Sequence, residues 1–222
     1  MVLSDQVRKK AVLYHDLVNI IVLSVVFILS VIYLLEFTEW NNILTTNILA
    51  QSGNYLFTFI YNIFSSYMVF DTLLIYFYPY CVATKEPNII ILHHIIVLLL
   101  ITMPLLDSRY QWHMIASLLV ESNTVLLACR RNCMRNTILH TLITILFYIS
   151  WVLFRLLYFP LLLYLYTYEW YLRSIYVGTG LNFLGFAPIL MVVLTLLSCM
   201  WTYEMVAKGL MAREDGVNRK NT

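Results

Sequence analysis

Charge is what this sequence has least of. Only 12% of its 222 residues are Asp, Glu, Lys or Arg, while 61% are apolar. An ordinary soluble domain carries about 25% charged and about 45–50% apolar residues. A soluble fold of this length has no core large enough to hide that much apolar surface. The alternating polarity of transmembrane β-strands, over roughly 10-residue segments, is also missing. So are internal repeats, low-complexity tracts and any separate polar domain. With only five histidines, a histidine-rich di-iron membrane oxidase is disfavoured. Cys129 and Cys133 lack the second ligand pair that a zinc site needs. No span carries the paired Gly/Pro breaks of alternating-access transporters.

What is present is a series of long apolar runs. Crossing the hydrocarbon core takes about 20 residues. Six segments qualify, at 17–37, 55–80, 89–106, 113–128, 137–166 and 174–201. The expected fold is an all-α membrane protein, a six-transmembrane helical bundle with a polar cavity opening towards the cytosolic side. Residues 1–16 form a cytosolic N-terminal segment, 17–201 the membrane domain and 202–222 a cytosolic tail. The fifth segment is too long for one straight crossing and contains Pro160, which predicts tilt or a kink. The first exceeds the roughly 7–15 apolar residues of a secretory signal and has no small-residue cleavage site after it. It is read as an anchor.

Basic residues set the orientation. With the N-terminus in the cytosol, eleven fall on that side: Arg8, Lys9, Lys10, Lys85, Arg130, Arg131, Arg135, Lys208, Arg213, Arg219 and Lys220. Arg109 and Arg173 face the other side, and Arg155 lies within a span. Both termini are therefore expected in the cytosol. This asymmetry explains the basic residues as topology, and no nucleic-acid partner is expected. Cys81, Cys129, Cys133 and Cys199 fall at cytosolic span ends, where thiols stay reduced and no disulfide is expected.

Ionisable residues inside apolar spans are costly and mark polar cavities or functional sites. His93 and His94 stand in the run Ile91-Leu92-His93-His94-Ile95-Ile96. Asp71 and Glu121 interrupt the neighbouring spans. At a rise of about 1.5 Å per residue, Asp71 lies roughly 13 Å, the histidines roughly 6–8 Å and Glu121 roughly 10 Å from the same membrane side. Three helices thus bring titratable groups to similar depth. Tyr67 lies four residues before Asp71, and Ser117, Glu121 and Thr124 share a helix face. Such stripes line a cavity or join helices. Adjacent histidines point about 100° apart, given roughly 3.6 residues per turn. They cannot easily share one metal ion, so one is expected to face the cavity while the other meets a neighbouring helix or carboxylate. A histidine oriented by an acid is a general base, proton shuttle or acyl acceptor. A metal held by His93 or His94 with Asp71 and Glu121 is the competing chemistry, and no metal is assigned. Towards the far side, Arg155 and Asn182 are candidates for ligand contact or for structural anchoring. His15, His113 and His140 sit near span ends and receive no role.

Four stretches in order carry a family resemblance. They are Phe70-Asp71-Thr72-Leu73-Leu74, His93-His94, Glu121-Ser122-Asn123-Thr124, and Phe154-Arg155-Leu156-Leu157-Tyr158-Phe159-Pro160, with Asn182 following in the last span. The chain resembles the TLC-domain proteins, which include ceramide synthases, translocation-associated membrane proteins and lipid-homeostasis proteins. That resemblance implies a bundle with a lipid-accessible cavity, commonly in the endoplasmic reticulum or a related endomembrane, or in a host membrane were the gene viral. It implies acyl transfer to a lipid amine, with acyl-CoA as co-substrate and no bound cofactor. His93 or His94 would then accept or deprotonate, and Asp71 would orient it. Tyr67, Glu121, Arg155 and Asn182 would contact the lipid or acyl chain. The stretch Met103-Pro104-Leu105-Leu106-Asp107 onward lacks the acid-rich segment with a further His-Asp found in ceramide synthases. It resembles the shorter, less characterised TLC proteins instead. A non-enzymatic lipid sensor, lipid-homeostasis factor or cargo receptor is the alternative.

Overall fold

A computed structural model describes residues 5–37, 55–84, 86–108 and 110–218. Lys85, Arg109, Arg219 and Lys220, counted in the charge asymmetry, lie outside the described residues. Every regular element among the described residues is helical. Six of the helical units are long and apolar enough to cross a membrane: Asp5–Glu36, Tyr55–Phe77, Pro87–Leu106, Tyr110–Asn132, Ile138–Val177 and Phe183–Ala207. The protein is an all-α, six-helix membrane bundle.

The first crossing is α1, Asp5–Phe37. Its 33 residues would extend about 50 Å, well beyond the roughly 30 Å of hydrocarbon. The helix therefore starts twelve residues before the apolar run that marks it in the sequence, and carries His15, Asp16 and Asn19 along its first half. The second crossing is α2, Tyr55–Phe77, followed by a short 3₁₀ turn at Pro79–Cys81. The third joins α3, Pro87–Ile101, to the single turn α4, Met103–Leu106. Pro87 and Pro104 both occupy first-turn positions, where the missing N–H leaves no bond unmade.

The fourth crossing is interrupted. α5, Tyr110–Leu118, passes through a 3₁₀ turn at Leu119–Glu121 into α6, Ser122–Asn132. The fifth contains α7, Ile138–Ser150, capped by Thr137, whose hydroxyl accepts from the His140 backbone N–H at 3.1 Å. A π-helical stretch follows at Trp151–Tyr158, with the Phe159 N–H bonded five residues back to the Phe154 carbonyl. Then comes α8, Phe159–Val177, with Pro160 in its first turn. The irregularity anticipated from Pro160 is thus a change of helical register on its N-terminal side. α8 stops at Gly178, whose φ of 75° places it in the left-handed region open to glycine. The last crossing, α9, Phe186–Asn218, continues as helix through most of the expected tail.

The crossings close into a ring. α1 packs on α2, α2 on α3, α3 on α9, α9 on α8, α8 on α5, and α5 and α6 return to α1. α7 lies outside against α6. Its Leu142, Ile145, Leu146 and Ile149 are exposed, as are Val152, Leu153 and Leu157 beyond it. That apolar outer surface suits a helix facing lipid, while close packing and buried polar contacts hold the interior.

Candidate functional site: two polar clusters on either side of the paired histidines

Helical geometry makes His93 and His94 diverge, and each enters a different environment. His94 is buried and faces α2. Its Nε2 lies 3.7 Å from Asp71 Oδ2, and its Nδ1 lies 3.3 Å from the Thr72 hydroxyl. That hydroxyl donates to the Met68 carbonyl one turn back at 2.6 Å. The nearer neighbour of Asp71 is His15, whose Nε2 approaches Oδ1 to 2.8 Å. Asn19, one turn along α1, directs its amide nitrogen at His15 Nδ1, 3.4 Å away, and its carbonyl accepts from the Tyr67 hydroxyl at 2.8 Å. The bond directions assign the tautomer. His15 Nδ1 accepts, so Nε2 carries the hydrogen donated to Asp71. The chain Tyr67, Asn19, His15, Asp71 is buried throughout and joins α1 to α2, and His94 beside Asp71 brings in α3.

A second polar contact fixes α1 against α6. Asp16 is fully buried and accepts from Arg131 Nε at 3.1 Å and from Asn132 Nδ2 at 2.9 Å. Arg131 Nη2 closes on the other carboxylate oxygen, making the pair bidentate. Nearby, Asn123 donates to the Ser150 hydroxyl at 2.6 Å, tying α6 to α7.

His93 faces the other way, into a small cavity of about 30 Å³. Every crossing except the first contributes to its wall. Phe64, Val97, Leu100, Met114, Met191 and Leu194 make it mainly apolar, and Ser117, Glu121, Arg155 and the Tyr166 hydroxyl are its other polar groups. The Glu121 side chain accepts from Thr124 at 3.1 Å. Arg155 is buried on the π-helical stretch, with its guanidinium carbon 5.5 Å from the ring centres of Trp151 and Phe159 and 5.6 Å from that of Trp201. Trp201 also meets the His93 ring edge-on at 5.3 Å. Three buried nitrogens here, His93 Nδ1 and Arg155 Nε and Nη1, have no hydrogen-bond partner.

The expected site therefore resolves into two. His93, Glu121 and Arg155 share the cavity. His94, Asp71 and Tyr67 share the buried network behind α3. Asp71 pairs with His15 and His94, so it does not orient the histidine that faces the cavity. Asn182 joins neither group. It precedes α9, donating to the Ser174 hydroxyl at 3.0 Å and the Thr179 carbonyl at 3.3 Å, which fastens the α8–α9 connection. His15, Asn19, Asp16 and Trp201 are the site residues that the sequence did not single out. One cue was available for the first three: they repeat at helical spacing from the basic segment into the apolar run. Trp201 gives no such cue, because aromatic residues are ordinary at span ends.

A family model of the TLC domain matches residues 15–207. The match begins at His15 and so takes in the whole buried network and the whole cavity. No curated protein and no solved structure matches the chain.

Proposed function

The chain belongs to the TLC-domain family, and from that premise we propose that its bundle takes the apolar chain of a membrane lipid into the cavity and holds the lipid head at His93, Glu121 and Arg155. The observation that carries this reading is the cavity itself: an apolar hollow with its few polar groups gathered together. Small-molecule sites likewise pair apolar walls with a few placed polar groups. In this reading both termini lie in the cytosol, which the basic-residue asymmetry supports, and the membrane is that of the endoplasmic reticulum, which the family resemblance supports.

In its chemical form the reading is acyl transfer with acyl-CoA as donor. A lipid amine attacks the thioester carbonyl carbon, and His93 takes the proton that the nitrogen sheds. The carbon–sulfur bond then breaks, and the thiol leaves carrying that proton. His93 is the residue for this step because it lines the cavity and its Nδ1 is unengaged. His94 and Asp71 hold the α1–α2–α3 corner together. A non-enzymatic lipid sensor is the second reading, favoured by one observation: Asp71, the nearest candidate for activating a histidine, is committed to His15.

The test is single replacement of His93 and of His94 by Ala, with folding checked by size-exclusion profile and cellular lipids compared with wild type. The chemical form expects a folded His93→Ala protein with an altered lipid profile. A folded His93→Ala protein with wild-type lipids would leave the sensor reading.

A further inference from the structure

Glu121 on the fourth crossing and Arg155 on the fifth are opposite charges that line the same small cavity, and each acts electrostatically on the other. That attraction leaves hydrogens unused. Arg155 Nε and Nη1 are buried without an acceptor, and they lie on different sides of the guanidinium. No single two-oxygen anion takes both. The rings of Trp151, Phe159 and Trp201 surround the cation and offset part of its desolvation, but rings take no directed in-plane hydrogen bonds. On the other side, the Glu121 carboxylate takes one hydrogen bond from Thr124 at 3.1 Å, while a carboxylate offers about four acceptor positions. His93 Nδ1, on the third crossing, is another buried nitrogen on this cavity without a partner. Each unmade bond at a buried polar group costs free energy that a small ligand recovers. The cavity measures about 30 Å³. A buried water needs roughly 10–15 Å³ of such space and about 2–4 polar partners. An alkyl chain enters only by parting the walls.

We propose that this cavity is a built water site, in which about one or two ordered water molecules accept from Arg155, donate to Glu121 and bond His93 Nδ1. Water fits both the size and the chemistry. It donates as well as accepts, and separate molecules reach the two sides of a guanidinium that one anion cannot. The bridge ties the third crossing to the fourth and fifth between two charges that would otherwise face a low dielectric. It also assigns His93 a positioning partner. Asp71 is committed to His15 and His94, so the hydrogen bond that sets the tautomer and ring orientation of His93 comes from water held by Glu121 and Arg155. The inference goes beyond the lipid reading and needs no lipid in the cavity.

The experiment is millisecond X-ray radiolysis of the full chain in nanodiscs, which generates hydroxyl radicals from water where that water sits, with methionine oxidation read by mass spectrometry. Met114 and Met191 line the cavity and are 2% and 0% exposed. Met68 is as well shielded, at 3%, and is not part of the cavity wall. Burial alone therefore predicts equal rates, whereas a water site predicts Met114 and Met191 oxidised at least about fivefold faster than Met68. Arg155→Met, which keeps the length and loses the donors, is expected to remove most of that excess. His93→Phe, which keeps a ring and loses Nδ1, is expected to reduce it and serves if Arg155→Met does not fold. Oxidation of Met114 and Met191 no faster than Met68 overturns the water site. An excess unchanged in the folded variants also overturns it, since the water would then not be held by these groups. Neither result bears on lipid entry, which lipid cross-linking reads separately.

Discussion

Two neighbouring residues of one type, His93 and His94, are expected to fail differently when replaced. His94→Ala removes a partner of Asp71 and of Thr72. Asp71→Leu leaves the His15 donor without its acceptor. Each is expected to lower stability by about 1–3 kcal/mol, the cost of stranding a buried polar group, which for a chain of this size is roughly 2–4 °C of Tm per kcal/mol. His93→Ala removes a side chain whose Nδ1 has no partner and is expected to shift the detergent-solubilised Tm by less than a third as much. Equal losses at the two positions would contradict the division into two clusters. Cys81 gives a chemical check of the same corner. It is buried beside the end of α2, outside the spans, and burial together with the nearby Asp71 carboxylate pushes its thiol up to about 11. Both effects disfavour the thiolate, so alkylation of Cys81 is expected to be negligible near pH 7.5 and to rise only as pH approaches 11, read by mass spectrometry of the modified peptide. At this scale the sequence was informative wherever a charge interrupted an apolar run, as at Asp71, His93, Glu121 and Arg155. It was weak at His15 and Asp16, whose helical spacing is easily missed because both follow the basic segment Arg8-Lys9-Lys10, where polarity looks like water.

Helices in this protein are joined by polar contacts as much as by packing. The Asp16–Arg131 pair links α1 to α6 with two charged hydrogen bonds. Either residue replaced by Ala is expected to destabilise, and the double variant to be less damaged than the sum, with a coupling of about 0.5–3 kcal/mol between residues in direct contact. A double-mutant cycle on thermal or denaturant unfolding measures it, and additivity would mean that the pair does not form. The π-helical stretch carries the second expectation at this scale. Leu153 is exposed on its outer face, so Leu153→Ala is expected to be tolerated. Deleting Leu153 turns everything on one side of it by about 100° relative to the other. The deletion is therefore expected to break the seating of Arg155, read as loss of lipid binding or of a monodisperse profile. Six crossings were legible from hydropathy alone, since an apolar run of that length has few other uses. The π register was not, because Pro160 announces a disturbance without saying which hydrogen bonds change. Asn182 shows the same limit: a polar residue beside a span is compatible with a cavity or a connection, and here it fastens the latter.

The described helices form a ring in which non-sequential crossings meet: the third packs on the sixth, and the fourth on the first. That order was not readable from the chain, because the third and sixth spans are apolar nearly all round and choose no neighbour. Yet it is the ring that makes a cavity, by holding five crossings around one hollow. An even number of crossings puts both ends on one side. Epitope tags at the two termini are expected to be equally accessible in cells whose plasma membrane alone is permeabilised, and tags of opposite accessibility would refute the six-crossing topology. The central claim is that the hollow holds a lipid chain. Its most direct measurement is photo-cross-linking of the nanodisc-embedded protein with a fatty acid carrying a diazirine along its tail, with the labelled residues mapped by mass spectrometry. Labelling is predicted at the interior residues Met114, Met191 and Leu194, and is predicted to disappear in Met191→Trp, which fills the space. Labelling confined to outward residues such as Leu142, Leu146 and Leu196, unchanged in Met191→Trp, would contradict the account.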